Sequence, residues 1–381
     1  MRHALKVSLV IALLVTSAAV WAADGSGQER PEGGVLGQLK AVTQNLYIGA
    51  DVFRIFDAET PEDIPFVVAG ILETVFETDF PARAESLADQ IARTEPHLVG
   101  LQEVSLIRVQ SPGDFLIGNP VPAQTVLFDY LDILLDALEA RGLDYVVAGI
   151  VENADIELPF FAGFGGGEQP LFDDIRLTDH DVILARSDVA TSNVTAANFE
   201  FNIEFNIGGV DVVFFRGYVI LDATVRGRTY RFANTHLEVA SPVPQVQAAQ
   251  MLELVTVLND SPYPIVLVGD LNSDPSDPFP QPYPLARMAG YWDMWLLRAG
   301  GPDPGFTCCQ TETVDNEVSI LDERIDHILV RRARGLRLSP VRGPVRSFVL
   351  GDHPRDKTIS GLWPSDHGGV FGRMLILAPS N

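Results

Sequence analysis

Cysteine is almost absent from this sequence: its 381 residues include two, Cys308 and Cys309, and these are neighbours. A disulfide-rich scaffold is therefore excluded, and so is a zinc site built from two cysteine pairs, because no second pair exists. The two adjacent side chains are compatible with a vicinal disulfide formed in an oxidising compartment or with two buried thiols. The sequence leaves both possibilities open.

Basic residues are also scarce, since 27 Lys and Arg stand against 51 Asp and Glu, for a net charge of −24. A surface of this charge repels nucleic acid and anionic membranes at long range. A phosphate-bearing substrate must therefore be attracted by a local site, and bound metal ions would provide one. The hydrophobic content of 46% is high enough for a large core, which excludes a disordered chain.

Long apolar runs are missing apart from one near the N-terminus, Val7 to Val20, which follows the basic residues Arg2 and Lys6. This pattern predicts a secretory signal peptide over residues 1–22, cut after Ala22, and a secreted or periplasmic protein. The run is too short, and the segment after it too polar, to predict a membrane anchor.

Residues 23–37 have no periodicity and are predicted to be a flexible tail, and residues 38–378 are predicted to be one catalytic domain. Helical spacing of apolar residues predicts three helices, at Ala84–Ala92, Val126–Leu138 and Val246–Leu258. Short β-rich runs predict seven strands: Tyr145–Ile150, Asp181–Ala185, Val210–Phe215, Tyr218–Ala223, Tyr230–Ala233, Ile265–Val268 and Ile325–Val330.

Several of these strands follow one another between about residues 181 and 235 with no room for helices between them. Such a succession favours antiparallel hairpins and argues against a doubly wound parallel sheet. The sequence therefore predicts an α/β domain with mostly antiparallel strands.

Polar side chains recur where apolar runs begin or end, which is where a scaffold can present them rigidly to a shared cleft. The residues in these positions are Asn45, Glu103, His236, Asp270, Asn272, Asp326, Asp366 and His367.

Their chemistry suits metal binding and proton transfer. Glu103, Asp366 and Asn45 form an all-oxygen ligand set that suits Mg²⁺ or Mn²⁺ better than zinc. The alternation of side chains along a strand predicts that Asp270 and Asn272 point to the same side, towards a water and a phosphate oxygen.

Two histidines in these positions, His236 and His367, can carry protons near neutral pH. The carboxylate of Asp326 could orient one of the two imidazoles. By contrast, His97 is expected to be a loop or surface residue, His180 a structural residue and His327 a core or second-layer residue.

Six short motifs resemble, in the same order, those of the endonuclease/exonuclease/phosphatase superfamily, and they span residues 45–367. They are Asn45, Gln102-Glu103, Asn234-Thr235-His236-Leu237, Gly269-Asp270-Leu271-Asn272, Arg324-Ile325-Asp326-His327 and Ser365-Asp366-His367. Each motif is weak alone, but the six together are specific.

The resemblance implies a two-sheet, mostly antiparallel β-sandwich flanked by helices in four αββα layers, with a metal-dependent phosphoester cleft at one edge. Glu103 would be the principal metal ligand, assisted by Asn45 and Asp366, and Asn272 would bind phosphate. The resemblance also implies that Asp270 orients or activates water and that His367, paired with Asp326, acts as base or stabilises the transition state.

Two further residues are assigned through the resemblance. Arg216 matches a position where many members carry a phosphate-contacting arginine. His236 is typical of members similar to pancreatic-type deoxyribonuclease, sphingomyelinases and inositol phosphatases, in which it acts as an acid or a phosphate binder. Abasic-site repair endonucleases usually have asparagine there.

The substrate class is left open between nucleic acid, a lipid head group and a small phosphoester, and a non-catalytic binding module on the same fold is a further alternative. Glu157–Phe172 reads as an insertion in which four phenylalanines flank Gly165-Gly166-Gly167. Its aromatic rings could contact lipid, clamp a substrate or pack in the core. The arginine-rich stretch 331–346 could contact phosphates or be a solvated pair of strands.

Overall fold

The computed structural model describes residues 35–118, 121–207, 210–334 and 341–378. The predicted signal peptide and residues 23–34 of the predicted tail lie outside these ranges. The first strand begins at Val35, so residues 35–37 belong to a strand and not to a flexible tail. None of the helices in the described ranges has the length and apolar character needed to cross a bilayer.

Sixteen strands occur in the described residues, and their lengths range from two to twenty residues. In chain order they are β1 (Val35–Asn45), β2 (Leu98–Gln102), β3 (Leu106–Gln110), β4 (Thr125–Asp129), β5 (Tyr145–Phe164), β6 (Pro170–Arg186), β7 (Ala190–Asn198), β8 (Ile203–Ile207), β9 (Val210–Phe214), β10 (Gly217–Val225), β11 (Arg228–His236), β12 (Ile265–Asp270), β13 (Trp292–Asp293), β14 (Asp326–Arg331), β15 (Val341–Leu350) and β16 (Gly369–Ala378).

Six α-helices occur in the same ranges: α1 (Ile64–Glu77), α2 (Phe80–Thr94), α3 (Tyr130–Glu139), α4 (Pro244–Leu258), α5 (Pro282–Met288) and α6 (Met294–Leu297). Proline near the first position of α1, α2, α4 and α5 suits a helix start, because the missing N–H there has no intrahelical partner in any case. Short 3₁₀ helices cover Val52–Asp57, Pro61–Asp63, Phe115–Ile117 and Pro354–Asp356.

The strands form two large sheets and one small hairpin. The first sheet has the order β15-β16-β1-β2-β6-β3-β4, and β5 pairs with β6 along its whole length. The second has the order β13-β14-β12-β11-β10-β7, and β8 pairs only with β9. Most neighbours are antiparallel, and the parallel pairs are β1 with β2 and β11 with β12.

The two sheets pack face to face, and each is covered by helices on its outer face. Leu39, Leu98 and Ile183 of the first sheet meet Val219 and Val266 of the second in one buried cluster. The outer face of the first sheet packs against α2 and α3, and that of the second packs against α4 and α5. The predicted four-layer α/β sandwich is confirmed.

A polar bridge crosses the interior of the sandwich between the two sheets. The Gln102 side chain donates to Asn234 Oδ1 at 2.6 Å, and Asn234 Nδ2 donates to the carbonyls of Leu101 and Val182 at 2.8 and 3.0 Å. Gly100 permits this close approach, because a Cβ atom there would lie 2.6 Å from Asn234 Oδ1. The bridge fixes the end of β2 against the end of β11.

Two further sequence predictions differ from the structure, and one helix was missed. The predicted helix starting at Val126 begins only at Tyr130, because Thr125–Asp129 form strand β4 and the Asp129 carboxylate caps the helix at Leu131 N–H and Asp132 N–H. Helix α1 was not predicted. The insertion Glu157–Phe172 is not a loop but the distal part of the long β5–β6 hairpin, with its turn at residues 165–169.

Candidate active site

One edge of the sandwich gathers the strand ends that carry the predicted site residues. In the first sheet, β1 and β2 run parallel with Asn45 opposite Gln102, so Asn45 and Glu103 emerge side by side. In the second sheet, His236, Asp270 and Asp326 lie in one row, because His236 pairs with Asp270 and Asp270 pairs with Asp326. Both sheets therefore contribute side chains to the same edge.

His367 lies against two carboxylates from the second sheet. Its Nδ1 donates to Asp326 Oδ2 at 2.9 Å and lies 3.8 Å from Asp270 Oδ2. Burial alone would lower the pKa of His367, but Asp326, Asp366 and Asp270 together raise it well above its ordinary value. The imidazole is therefore held in its protonated form, in the orientation that Asp326 sets.

Asp270 lies between the two histidines, with His236 Nε2 at 3.5 Å from its Oδ2. Burial raises the pKa of Asp270 to about 7, and the neighbouring Asp326 carboxylate adds to the rise. A carboxylate whose pKa lies near neutrality can accept a proton from water more effectively than an ordinary one.

Glu103 and Asp366 face one cavity of ≈ 250 Å³. Burial raises the pKa of Asp366 to about 6, and the charge of Glu103 also raises it, although His367 opposes the shift. Glu103 adopts a left-handed backbone conformation (φ 55°), and its Oε2 accepts the backbone N–H of Ile48 at 2.8 Å.

The donor set of this cavity fits a divalent cation. The charge of Glu103 disfavours the charged form of Asp366 at a partly accessible position, and a hard cation would relieve that repulsion. The Asp270, Asp326 and His367 ligand atoms also lie within 4.8 Å of one another. That second cluster is buried and already joined by the His367–Asp326 hydrogen bond, so it suits proton transfer better than metal binding.

Asn45 is placed as a bridge between the two clusters. Its Nδ2 donates to Glu103 Oε1 at 2.9 Å and to Asp270 Oδ2 at 3.2 Å, while its Oδ1 accepts the backbone N–H of Tyr47 at 2.9 Å. In this arrangement Asn45 orients the carboxylates, and metal ligation by Asn45 stays a prediction.

His236 is buried, with 2% of its surface exposed, and contacts a permanent donor. Arg216 Nη1 lies 3.0 Å from His236 Nδ1, and because a guanidinium can only donate, Nδ1 is the acceptor. Burial lowers the pKa of His236 well below its ordinary value, and the charges of Arg216 and His367 lower it further. The imidazole is therefore neutral with its proton on Nε2, and the acceptor Asp270 Oδ2 lies 3.5 Å from this nitrogen.

Asn272 reaches the site by a different route from the one predicted. Strand β12 ends at Asp270, so the alternation of side chains along a strand does not apply to Asn272. A tight turn brings the two residues together, and in it the Asn272 N–H donates to Asp270 Oδ1 at 2.8 Å. The Asn272 backbone is left-handed (φ 47°), and its Nδ2 lies 3.2 Å from His236 Nε2.

Arg216 lines the same cavity as Glu103 and Asp366. Glu238 is its nearest carboxylate, with Oε2 at 3.7 Å from Nε. The other arginines considered from sequence are engaged elsewhere where they are described: Arg331 donates to the Leu258 and Asn259 carbonyls, and Arg334 pairs with Asp260. Arg337 and the Arg342 side chain lie outside the described structure.

Three site residues were missed from sequence. Asp179 lines the cavity, and burial raises its pKa to about 7; Asp181, two residues further along β6, is buried beside it with neither carboxylate oxygen hydrogen-bonded. Tyr47 also lines the cavity. The available signal was Asp179-His180-Asp181, which places two aspartates at strand spacing just before the apolar run Val182–Ala185.

The adjacent cysteines are joined in a disulfide beside the site. Cys309 Sγ lies 3.8 Å from His367 Nε2, on the side of the imidazole opposite Asp326. The sequence alone gave no reason to place these residues next to the candidate active site.

Comparison with known proteins agrees with this geometry. Residues 75–367 match the model of the endonuclease/exonuclease/phosphatase family. No match to this sequence is found among curated proteins.

Two solved structures of family proteins show the same fold at low sequence identity, and a third structure is more distantly similar. A family protein from Beutenbergia cavernae is 18% identical over 89% of this chain and 72% of its own, with a TM-score of 0.52. One from Bacteroides thetaiotaomicron is 18% identical over 90% of this chain and 99% of its own, with a TM-score of 0.51. TDP2 from D. rerio, solved with a single-strand DNA product, is 16% identical over 88% of this chain and 98% of its own, with a TM-score of 0.48.

Proposed function

Because the chain belongs to the endonuclease/exonuclease/phosphatase family, whose members hydrolyse phosphoester bonds, we propose that it is a divalent-metal-dependent hydrolase of phosphoric esters. The observation that carries the proposal is the meeting of two different clusters at one sheet edge. Glu103 and Asp366 offer oxygen ligands, and the Asp270–His367–Asp326 set offers proton transfer next to them.

Glu103 and Asp366 are the proposed ligands of Mg²⁺ or Mn²⁺, with Asn45 holding the Glu103 carboxylate in place and available as a third ligand. When bound, such an ion polarises a phosphoryl oxygen and neutralises charge that develops during the reaction.

Proton transfer is assigned to the second cluster. Asp270 accepts a proton from the attacking water, for which a pKa of about 7 is suited. Protonated His367, oriented by Asp326, stabilises negative charge on the phosphoryl group.

Arg216 and Asn272 are the proposed contacts to phosphate oxygens. Neutral His236, whose Nδ1 accepts from Arg216, presents its Nε2–H as a hydrogen-bond donor on the side of Asp270. This role differs from proton donation to the leaving group, since a histidine whose pKa is lowered this far carries no second proton at neutral pH.

Export is part of the proposal and rests on the sequence of residues 1–22. The N-terminus of the protein recovered from the culture medium or periplasm should be Ala23, which N-terminal sequencing would show. Retention of residues 1–22 in that fraction would contradict the predicted cleavage.

Metal dependence and ligand assignment are tested together with Glu103→Ala. A panel of DNA, RNA, sphingomyelin, inositol phosphates, nucleotides and simple phosphodiesters is assayed with and without EDTA. The wild type should cleave at least one of them, and EDTA should abolish cleavage. Glu103→Ala should be inactive at limiting metal and partly rescued by excess Mg²⁺ or Mn²⁺, because it removes a ligand but leaves the proton-transfer residues in place.

The matched control is Glu152→Gln, which alters an exposed carboxylate on β5 and should leave activity unchanged. Binding of Mn²⁺, followed by calorimetry, should weaken in Glu103→Ala but not in the control. Full activity of Glu103→Ala at limiting metal would refute the ligand assignment. Metal binding without hydrolysis of any ester would favour a binding module.

A further inference from the structure

A second cavity, of ≈ 100 Å³, lies beside the cleft and is lined by apolar side chains alone. Helix α1 forms one wall with Val68, Leu72 and Val75, which recur at helical spacing on one face. A cavity of this composition offers water no polar partners, and engineered apolar cavities of about 150 Å³ stay dry and bind small hydrocarbons for the same reason.

The opposite wall is built from the β5–β6 hairpin. Ile156 pairs with Leu177 across the two strands, and Leu158 pairs with Ile175, so four aliphatic side chains form a continuous patch facing α1. Side chains two residues apart share a strand face, which is why this patch is uninterrupted.

The apolar cavity adjoins the polar cleft, because four residues line both. Ile48, Val52, Leu177 and Phe214 line both. On β6 the same strand face carries Ile175 and Leu177 in the apolar cavity and then Asp179 in the cleft.

The charge of the cleft indicates which kind of group the rest of the substrate carries. Among the described residues that line it, five carry carboxyl groups and one, Arg216, is cationic; the five are Asp51, Glu103, Asp179, Glu312 and Asp366. One phosphate could be held by Arg216 and a metal ion, but a chain of further phosphates would meet carboxylates. The surroundings therefore favour a substrate whose remaining part is uncharged and apolar.

We propose that the apolar cavity binds the hydrocarbon part of the substrate, an alkyl or acyl chain attached to the phosphoester that lies in the cleft. The assignment of the phosphoester rests on the proposed function, whereas the cavity can be tested without catalysis. Ile48 links the two sites directly, because its backbone N–H donates to Glu103 while its side chain lines the cavity.

The test uses n-alkylphosphonates from ethyl to octyl, which cannot be hydrolysed, at concentrations below micelle formation. Calorimetry with the metal-loaded protein should show a Kd that falls by about fourfold for each methylene that enters the cavity and then levels off. An affinity independent of chain length would overturn the proposal.

Two cavity variants should act in opposite directions. Ile156→Phe fills the cavity and should flatten the chain-length series, whereas Leu158→Ala enlarges it and should move the levelling-off point to longer chains. Ile150→Phe, on the same strand but 42% exposed and away from the cavity, is the matched control and should keep the wild-type series. If both cavity variants keep the wild-type series as well, the chain binds elsewhere and the proposal fails.

Failure of the proposed function is distinguishable from failure of this inference. Ethyl p-nitrophenyl phosphate has almost no chain to bury, so its hydrolysis reports the cleft alone. Absence of hydrolysis of this ester and of every substrate in the panel, with an intact phosphonate series, would overturn the hydrolase and retain the cavity. Hydrolysis together with a phosphonate affinity that does not depend on chain length would retain the hydrolase and overturn the assignment of the cavity.

Discussion

Three residues of the candidate site, Tyr47, Glu103 and Asn272, have φ angles between 47° and 63°. Residues other than glycine adopt this left-handed backbone region at a cost of about 1–3 kcal/mol each, and such residues cluster at functional sites. Each of the three follows the end of a central strand, and the turn directs its side chain or its neighbour's into the cleft. Local strain therefore accompanies the placement of Glu103 and Asn272.

Replacement of His236 separates two roles for its imidazole. His236→Ala should lower kcat by about 10²–10⁴-fold if the side chain acts on the transition state. Because burial and Arg216 keep the imidazole neutral, the loss should be similar at pH 6 and pH 8. A loss confined to KM would make His236 a binder of ground-state phosphate, and a loss that disappears at high pH would restore proton donation as its role.

His97 was expected to be a loop or surface residue, but it is buried and connects three strands. Its Nδ1 accepts the Lys40 backbone N–H at 3.0 Å, its own N–H donates to the Lys40 carbonyl, and its carbonyl accepts the Arg186 N–H. Burial lowers the pKa of His97 to about 4, and the charge of Arg186 lowers it further.

A pH dependence of stability follows from His97. Between pH 6.5 and about 4 the unfolded chain binds a proton that folded His97 does not, so the free energy of unfolding should fall as the pH falls through this window. His97→Gln can still accept the Lys40 N–H and should lose less stability between pH 7 and pH 5, measured by urea unfolding. His353→Gln, which removes an exposed imidazole, should behave as the wild type, and identical pH dependence in all three would contradict the assignment.

At the scale of elements, the β5–β6 hairpin carries aromatic rings in two different environments. Phe160 packs against the buried clusters beneath the hairpin, whereas Phe161 contacts the rings of Phe66 and Phe164 near the turn. Phe164 is 69% exposed and Phe66 is 51% exposed. The sequence alone does not distinguish the phenylalanines of the hairpin, because it does not show which of them face the core.

Contact with a lipid surface can be tested with the outer rings alone. Phe161→Ser combined with Phe164→Ser should reduce hydrolysis of vesicle lipid but spare a soluble phosphodiester, since burying exposed apolar area in a bilayer contributes roughly 25 cal/mol per Å². Phe160→Ser is the contrasting variant and should lower the melting temperature. Equal activity of the double variant on both substrates would assign the rings to packing.

The elements that the sequence predicts correctly are those whose spacing of apolar residues agrees with their burial in the structure. The apolar residues of helix α4 recur at helical spacing, and strand β12 is a short apolar run. Both elements form close to where they are predicted. Val126 and Leu127 fit helical spacing equally well, but pairing of β4 with β3 overrides it. Such tertiary pairing is not encoded in the spacing of one segment, and the same holds for α1, whose apolar face becomes recognisable only through the hairpin it covers.

At the scale of the whole molecule, the order of motifs predicted the composition of the site, because central strands of both sheets end at one edge. The sequence does not predict which side chains of the candidate site contact one another. The orientation of the Asn45 side chain depends on contacts with Glu103 and Asp270, which lie far along the chain. The Arg216–His236 contact depends on the pairing of β10 with β11. The buried pair Asp179 and Asp181 was missed because β6 as a whole resembles an ordinary half-buried strand.

The pairing of β1 with β16 has a consequence for chain connectivity. Val35 lies opposite Ala378 in the antiparallel register, so the two ends of the described fold meet in one row of the sheet. A short Gly/Ser linker from Ala378 to Val35 should close the chain into a ring, which can then be reopened between Gly166 and Gly167 at the hairpin turn.

This circular permutant should fold and hydrolyse a soluble phosphodiester at a rate within a few-fold of the original chain. A permutant opened between Asp270 and Leu271 should be inactive, because it cuts the turn that holds Asn272 against Asp270. Circular dichroism and urea unfolding would separate loss of folding from loss of activity. The linear order of the motifs would then be one of several orders in which the same site can be assembled.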